Sequence, residues 1–413
     1  MAVLTLGCKL NQADSEAIAR QLVAAGAEVV DRPSVADAYV INTCSVTHVA
    51  DRKARHLVRL ARRLAPGAPV VLTGCYVETA GAETARLAGA DLALANADKP
   101  AIAAHIMGLA GREPAPVDRV AAGLRTRAFV KVQEGCNDVC AFCIVPRTRG
   151  RERSAQPEDV VRAVRAREAE GVQEVVLTGT QLGAYGRDSG ATPADVIAAV
   201  LAGTSVPRIR FSSLQPQDIT PRLLGLWDDP RLCRHFHLAL QSGSDATLRR
   251  MRRRYDTAQY ADAVARIRAQ CGDDVAITTD VIAGFPGESD AEFAESLAFC
   301  ERTGFAAMHV FPYSLRTGTT AAKMPDHVPH AVKRERTQRL LALARAAQAC
   351  YMARFEGHVM PVLWERRAGD GAWDGLTDNY LRVRAASSAD LRNRITPARL
   401  LRAEGDAFAA EAS

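Results

Sequence analysis

The 413-residue chain lacks any apolar stretch near the roughly 18 residues that a membrane-spanning helix needs. Its first residues, Met1-Ala2-Val3-Leu4-Thr5-Leu6-Gly7-Cys8-Lys9, have no basic n-region and only a short apolar run, so no secretory signal is expected there. There is no internal repeat and no low-complexity tract. Hydrophobic residues make up 48% of the chain, ample for buried cores, so disorder is not expected. A soluble, cytoplasmic protein with no membrane partner is expected. A strong charge of one sign is missing too. Lys and Arg number 53 against 47 Asp and Glu, a net +6 that by itself says little about a nucleic-acid partner. Arginine far outnumbers lysine, and a GC-rich coding bias explains that as readily as function does.

Cysteine, in contrast, is plentiful: ten residues. In a cytosolic chain disulfides are rare, so clustered cysteines point to metal or redox chemistry.

The chain's organisation reads as α/β. Strands are predicted at Ala2–Leu6, Ala38–Asn42 and Pro69–Thr73, with helices at Ser15–Ala25, Val49–Leu64 and Thr79–Ala88. This alternation predicts a parallel sheet with crossover helices, an N-terminal α/β domain over 1–110. Residues 111–127, rich in Pro, Gly and Arg, read as a linker. Six further strands follow, at Phe129–Gln133, Glu174–Thr178, Arg208–Ser213, His235–Leu240, Ala276–Ala283 and Ala306–Pro312. Helices such as Pro157–Glu170, Ala258–Ala269 and Asp290–Thr303 lie between them. They predict a (β/α)6 part-barrel over 128–350, closed by a helix at Val332–Arg354. The remainder, 351–413, shows short strands at Val359–Trp364, Trp373–Leu376 and Tyr380–Ala385, a small all-β domain.

Just after the first strand of the second unit stands Gly135-Cys136-Asn137-Asp138-Val139-Cys140-Ala141-Phe142-Cys143. Three thiolates on one short loop can hold three corners of an iron–sulfur cube and leave one iron open. A structural zinc would need a fourth tight ligand, and this loop has none. A chance cluster of buried thiols is the bland alternative. Cys8, Cys44 and Cys75 each follow a predicted strand, where ligands of parallel sheets gather. Singly each is an ordinary thiol; together they can share a cluster. Cys233, Cys271, Cys300 and Cys350 have no such placement and read as small apolar residues.

The C-x3-C-x2-C loop after a barrel's first strand resembles the radical S-adenosylmethionine (SAM) superfamily. That resemblance implies SAM on the open iron and its reductive cleavage to a 5′-deoxyadenosyl radical, which abstracts hydrogen from a C–H bond. Phe142 stands where that family usually has an aromatic residue. With the strand-end triad, the whole chain resembles the radical SAM methylthiotransferases. These have an N-terminal three-cysteine domain, a part-barrel and a C-terminal TRAM domain. The resemblance implies two [4Fe–4S] clusters, held by Cys136, Cys140 and Cys143 and by Cys8, Cys44 and Cys75. One SAM serves as radical source and another as methyl donor. The segments Thr5–Gln12, Asn42–Thr47 with Ala50–Lys53, and Gly183–Asp188 look like the branch that modifies N6-threonylcarbamoyladenosine beside the tRNA anticodon. Rival readings are another methylthiolation target (isopentenyladenosine, or an Asp of a ribosomal protein) and a non-catalytic iron–sulfur or zinc protein that binds RNA. The implied partners are a tRNA anticodon stem-loop and an electron donor such as flavodoxin or ferredoxin. The sulfur donor is not legible.

By the same resemblance, SAM contacts fall on Gly179, Thr180, Gln241, Ser242, Asp280 and Gly284. Gly179 reads equally as a tight turn, and an Asp280–Arg pair is the structural alternative for that buried carboxylate. The chain departs from the family pattern at Ala239, Gln215, Thr317 and Thr320. For RNA, Arg52, Arg55, Arg59 and Arg62 recur at helical spacing, and Arg249, Arg250, Arg252, Arg253 and Arg254 form a denser run. In the C-terminal domain Arg382, Arg384, Arg392, Arg394, Arg399 and Arg402 have only Asp390 among them; with Tyr380 they fit RNA binding by shape and stacking.

Overall fold

The computed structural model describes residues 1–81, 83, 89–111 and 126–412. Short runs of Val, Ile and Leu build the first sheet. Strands β1 (Ala2–Thr5), β2 (Tyr39–Thr43), β3 (Val70–Gly74) and β4 (Leu92–Leu94) pair in that order, all parallel. Every residue of β2 and β3 is buried, as expected for a sheet covered on both faces. Ile18, Leu22, Ile102 and Ile106 pack one face, and Ala54, Val58, Ala61 and Tyr76 the other.

The second unit opens with β5 (Arg127–Lys131) and a hairpin of β6 (Gln133–Glu134) with β7 (Arg153–Ser154). Then come β8 (Glu174–Thr178), β9 (Arg208–Phe211), β10 (Ser213–Leu214), β11 (His235–Leu238), β12 (Ala276–Ala283) and β13 (Ala307–Pro312). β9 and β10 are one path interrupted at Ser212, whose N–H bonds Leu177 O. The Ile209–Leu232 bridge ties that path toward β11. The result is a six-station parallel part-barrel, open between β5 and β13. The helix Lys9–Ala24 of the first unit lies at the free edge of β5, where Glu16 Oε2 accepts the Phe129 N–H at 3.1 Å.

After the helix His330–Ala353 comes a closed barrel of β14 (Val359–Arg367), β15 (Ala372–Thr377), β16 (Arg382–Ala386), β17 (Ile395–Glu404) and β18 (Ala407–Ala412). Val362, Trp364, Trp373, Val383, Leu400 and Phe408 fill its core. It sits under the part-barrel, at the amino ends of the strands. Arg208 donates to the carbonyls of Leu376 and Pro361, and Arg210 to those of Asp378 and Thr377. Tyr380 (φ 69°) stacks on His235 with centroids 4.4 Å apart. Beside it Arg210 and Glu174 form a fully buried ion pair at 2.9 Å.

Several expectations need correction. The first helix begins at Lys9, directly after Cys8, because an N-terminal turn needs no apolar residue to start it. The third begins at Cys75 (Cys75–Ala80), and most of the predicted Thr79–Ala88 lies outside the described residues. So does residues 112–125 of the predicted linker. The C-terminal unit has five strands rather than three. β17 and β18 were hidden because Arg, Glu and Ala occupy their outward positions.

Candidate active site

Cys8, Cys44 and Cys75 stand at the carboxyl ends of β1, β2 and β3. Two glycines draw them together. A Cβ on Gly7 (φ +107°) would lie 2.6 Å from Cys44 Cβ, and one on Gly74 (φ +97°) 2.6 Å from Thr43 N. Only glycine permits that backbone and that approach. Asn11 Nδ2 ties the first loop to the second by donating to Leu6 O at 2.7 Å and Thr43 O at 2.9 Å. Thr43 Oγ1 donates to Thr73 O at 2.5 Å, tying the second to the third. Burial first, then repulsion from Cys75 and Cys8, pushes the Cys44 thiol up to about 11. The three sulfurs therefore share one electrostatic neighbourhood.

Cys136, Cys140 and Cys143 follow the hairpin β6. Cys136 N–H donates to Gly150 O at 3.1 Å, Ala141 N–H to Met251 O at 3.0 Å and Cys143 N–H to Cys140 O at 3.1 Å. Burial pushes Cys136 up to about 11 and Cys143 up to about 12, with Cys140 raising both. Such triads are costly as free thiolates and suit a cationic iron cluster, which removes the repulsion. Each offers three sulfurs and, among the described residues, no fourth tight ligand, the donor set of a [4Fe–4S] cluster with one open iron.

The segments that carry the two triads are held against one another. Helix Cys75–Ala80 packs on helix Val145–Thr148. Asn96 Nδ2 donates to Thr148 O at 2.7 Å. Arg149 is the main bolt: it pairs with Asp14 at 2.8 Å and Glu134 at 2.7 Å, bonds Asn11 Oδ1, and feels the charge of Cys75. Asp14 also takes Lys99 at 2.5 Å and Lys131 at 2.9 Å. These cations hold its carboxyl well below the usual range in spite of burial. On the far side Arg316 pairs with Asp51 at 2.7 Å.

The predicted SAM residues gather at the same mouth but differ in what they touch. Phe142 makes an edge contact with Phe285, centroids 6.5 Å apart. Thr180 Oγ1 accepts the Gly135 N–H at 3.2 Å, supporting the cysteine loop. A Cβ on Gly179 would meet Gln133 O at 2.9 Å, so its smallness is used by protein packing. Gln241 (φ 70°) exchanges backbone bonds with Asp280 and Ile282, and Ser242 is buried behind it. Gly284 N–H donates to Glu288 Oε2 at 2.9 Å. Asp280 is paired, with His237 Nε2 at 3.2 Å and not with an arginine. His309 stands close by, and the ligand atoms of His237, Asp280 and His309 all lie within 4.8 Å of one another.

Sequence reasoning missed the groups that serve the cysteine loop from outside. Arg253 Nη1 donates to Cys140 Sγ at 3.3 Å, and Arg254 pairs with Asp138 at 2.8 Å, so two of the five arginines of the dense run belong to the loop rather than to RNA. Gln215, a departure from the family pattern, donates to Asp138 Oδ2 at 3.2 Å. It missed Lys9 as well. Burial lowers its ammonium pKa, and Tyr380, Arg210, Arg127 and Glu174 act on it through space.

The basic surfaces are thinner than the sequence implied. Arg52 and Arg59 are exposed on helix His48–Leu64, but Arg55 leans on Tyr76, and Arg62 is spent on Asp91 and two carbonyls. In the C-terminal barrel Arg382 pairs with Asp406 and Arg384 with Asp370, each at 2.6 Å, and Arg402 with Glu404 at 2.7 Å. Counting acids only between those arginines missed partners on neighbouring strands and turns. Arg394 keeps no ion pair among the described residues. Tyr380 is stacked at the barrel floor and is not free to stack on RNA.

Residues 1–95 match the family described as "Uncharacterized protein family UPF0004", and residues 130–300 match the Radical SAM superfamily. The chain is 36% identical over 98% of its length to the threonylcarbamoyladenosine tRNA methylthiotransferase MtaB of Bacillus subtilis, covering 94% of that protein. It is 33% identical to the Thermotoga maritima protein of the same name, with 92% and 89% covered. It is also 33% identical to a tRNA-2-methylthio-N(6)-dimethylallyladenosine synthase of Syntrophotalea carbinolica, with 96% and 95% covered. Among solved structures, the radical SAM methyltransferase TsrM from Kitasatospora setae, with tryptophan and a SAM analogue bound, aligns at TM-score 0.55 and 15% identity. That alignment covers 75% of this chain and 72% of that one, a likeness of fold.

Proposed function

The chain belongs to the radical SAM methylthiotransferases that act on tRNA, and on that premise we propose that it converts N6-threonylcarbamoyladenosine at position 37, in the anticodon stem-loop, to its 2-methylthio form. Two [4Fe–4S] clusters and SAM are its cofactors. What supports the reading is that helix Cys75–Ala80, which opens on one triad, packs on helix Val145–Thr148, which follows the other. When bound, these groups supply an electron for SAM cleavage, a radical at the adenosine carbon, and the sulfur and methyl group to be added.

The protein's own residues hold, orient and shield. Cys136, Cys140 and Cys143 hold the radical cluster, with the Arg253 guanidinium against one sulfur. Cys8, Cys44 and Cys75 hold the auxiliary cluster at the edge of the first sheet. Arg149 and Asp14 fix the distance between them. Gln241, Ser242, Asp280 and Gly284, with Phe142, Gly179 and Thr180, line the SAM side of the mouth. The units 1–110, 128–350 and 351–413 divide the labour as sulfur-site domain, radical barrel and TRAM-like domain. Arg52 and Arg59 beside the sulfur site, with Arg394 of the C-terminal barrel, meet tRNA phosphates. Arg55, Arg382 and Arg384 serve there only by giving up their present partners. A flavodoxin- or ferredoxin-like donor supplies electrons in the cytoplasm. Among the described residues no helix is long and apolar enough to cross a membrane.

The test is anaerobic reconstitution to about eight irons per chain, followed by turnover on stem-loops and mass spectrometry of the nucleosides. Methylthio-threonylcarbamoyladenosine is the expected product. Thiolation of isopentenyladenosine instead would transfer the assignment to the branch of the Syntrophotalea relative. Zinc in place of iron, with no SAM cleavage, would sink the enzymatic reading.

A further inference from the structure

We propose that Phe311 is the stacking platform for the purine ring of the target adenosine, which enters the lumen of the part-barrel and lies against this side chain. This rests on the tRNA reading above and deepens it by naming a residue that holds the base.

Side chains alternate along a strand. On β13, Met308 belongs to the main hydrophobic core and Val310 packs against it, so His309 and Phe311 point to the opposite face, into the lumen. The register agrees: Asp280 of β12 pairs with His309, and Ile282 with Phe311. Asp280 in turn meets His237 at 3.2 Å, and Thr278 Oγ1 lies 3.1 Å from both His237 Nδ1 and His235 Nε2. His235, stacked on Tyr380, marks the floor. One inner wall therefore climbs from His235 through His237, Asp280 and His309 to Phe311. Phe311 is 45% exposed, and no other Phe, Tyr or Trp among the described residues is exposed. A lone apolar residue on an outer surface needs no account. A ring left bare on an inner wall is a surface that gains when something apolar covers it.

The surroundings select the occupant. The wall is apolar at Phe311 and Ile282 and polar one level below, at His309 and Asp280. A purine has apolar faces and a polar edge, and its Watson–Crick edge lies opposite the ribose. A base that enters with its ribose outside leads with that edge. Its face then meets Phe311 while C2, N1 and the N6 substituent approach the polar level. Chemistry on a base also requires that it leave its stack, and an aromatic side chain replaces the stacking that is lost.

The platform stands where both cysteine segments are anchored. Tyr313, two residues on, shares a buried cluster with Ala141 of the cysteine loop, and Ile282 packs against the same cluster. Arg316 Nε donates at 3.2 Å to the carbonyl of Val46, two residues beyond Cys44. The end of β13 is thereby tied to the segments of both triads.

Three synthetic anticodon stem-loops test this, carrying threonylcarbamoyladenosine, isopentenyladenosine or an abasic ribose at position 37. Dissociation constants, from fluorescence anisotropy, and kcat/KM are measured for the reconstituted full chain and its Phe311→Ala, Phe311→Leu and Phe311→Tyr variants, each matched for iron content. The wild type should bind the threonylcarbamoyladenosine loop more tightly than the abasic one by on the order of tenfold to a hundredfold. Phe311→Ala and Phe311→Leu should lose most of that ratio, with kcat/KM falling in step, and Phe311→Tyr should keep both. An alanine or leucine variant that keeps the ratio in full, or one that weakens both loops alike, overturns the proposal. If the wild type thiolates the isopentenyladenosine loop instead, the substrate reading falls, while the same ratio taken on that loop still decides the platform. A wild type that thiolates no loop overturns both.

Discussion

Replacing Asp14 with asparagine removes a buried carboxylate on which three cations converge. Its side chain is 3% exposed, and those of Lys99 and Arg149 are 7% and 2% exposed. Breaking a buried pair by removing one partner costs about 3–5 kcal/mol. The three cations do not share that loss equally. Arg149 keeps Glu134 at 2.7 Å, and Lys131 keeps the same residue at 3.1 Å, whereas Lys99 keeps no other ion pair among the described residues. Lys131 is 36% exposed and adds little. The expected cost is therefore about 3 kcal/mol, the lower end of the range, with most of it at Lys99. Amide hydrogen exchange of helix Lys9–Ala24 should accelerate by about two orders of magnitude. Asp14→Asn combined with Lys99→Met should recover at least half of that logarithmic change, because the stranded ammonium is gone. The functional readout runs in parallel: methylthio product should fall further than SAM cleavage, since the two triads lose their bolt. An exchange change below about threefold, or no recovery in the double variant, would refute the reasoning.

Other expectations are shorter. Gly7→Ala drives a methyl group toward Cys44 Cβ from a left-handed backbone, so the auxiliary triad should open and reconstituted iron should drop from about eight to about four per chain. Arg253→Met removes a hydrogen bond from Cys140 Sγ. The reduction potential of the radical cluster should become more negative, as read by EPR-monitored titration; an unchanged potential would deny that contact a role. His235 is held neutral, well below 6.5, chiefly by burial and then by Arg210 and Lys9. A depressed folded pKa means that stability is complete above about 6.5 and lost as pH falls below it, by up to about 1.4 kcal/mol per unit. His235→Phe should flatten that part of the urea-midpoint profile. Arg52→Ala with Arg59→Ala should weaken tRNA binding and lower its logarithmic salt slope by about one to two.

The sequence made the cysteines legible because each lies in a motif with its own logic: three on one loop, three at strand ends. The alternation of apolar runs gave three of the four strands of the first sheet, and those of the part-barrel, to within a few residues; the short β4 was missed. What escaped was everything that depends on distant partners. Arg253 read as one of five basic residues, and only the fold brings its guanidinium to Cys140. Arg382 and Arg384 read as free because Asp406 and Asp370 lie elsewhere in sequence. Lys9 read as part of a branch signature, and nothing in its neighbours told that Tyr380 and Arg210 act on it through space. The C-terminal strands β17 and β18 were missed because their outer faces carry charge and alanine, which blurs a period of two.

The contact of Tyr380 with His235 changes how truncations of this chain must be read. The C-terminal barrel is stopper as well as appendage: its turn at Thr377–Leu381 fills the amino-end opening of the part-barrel, and Arg208 and Arg210 grip its backbone. Cutting the chain after Ala353 would uncork that opening, admit water to the lumen from below and strand the two arginines. Loss of turnover in such a truncation would report a leaking chamber as much as a lost grip on RNA. Point changes on the outer face of the barrel, leaving the stopper in place, are the variants that separate the two.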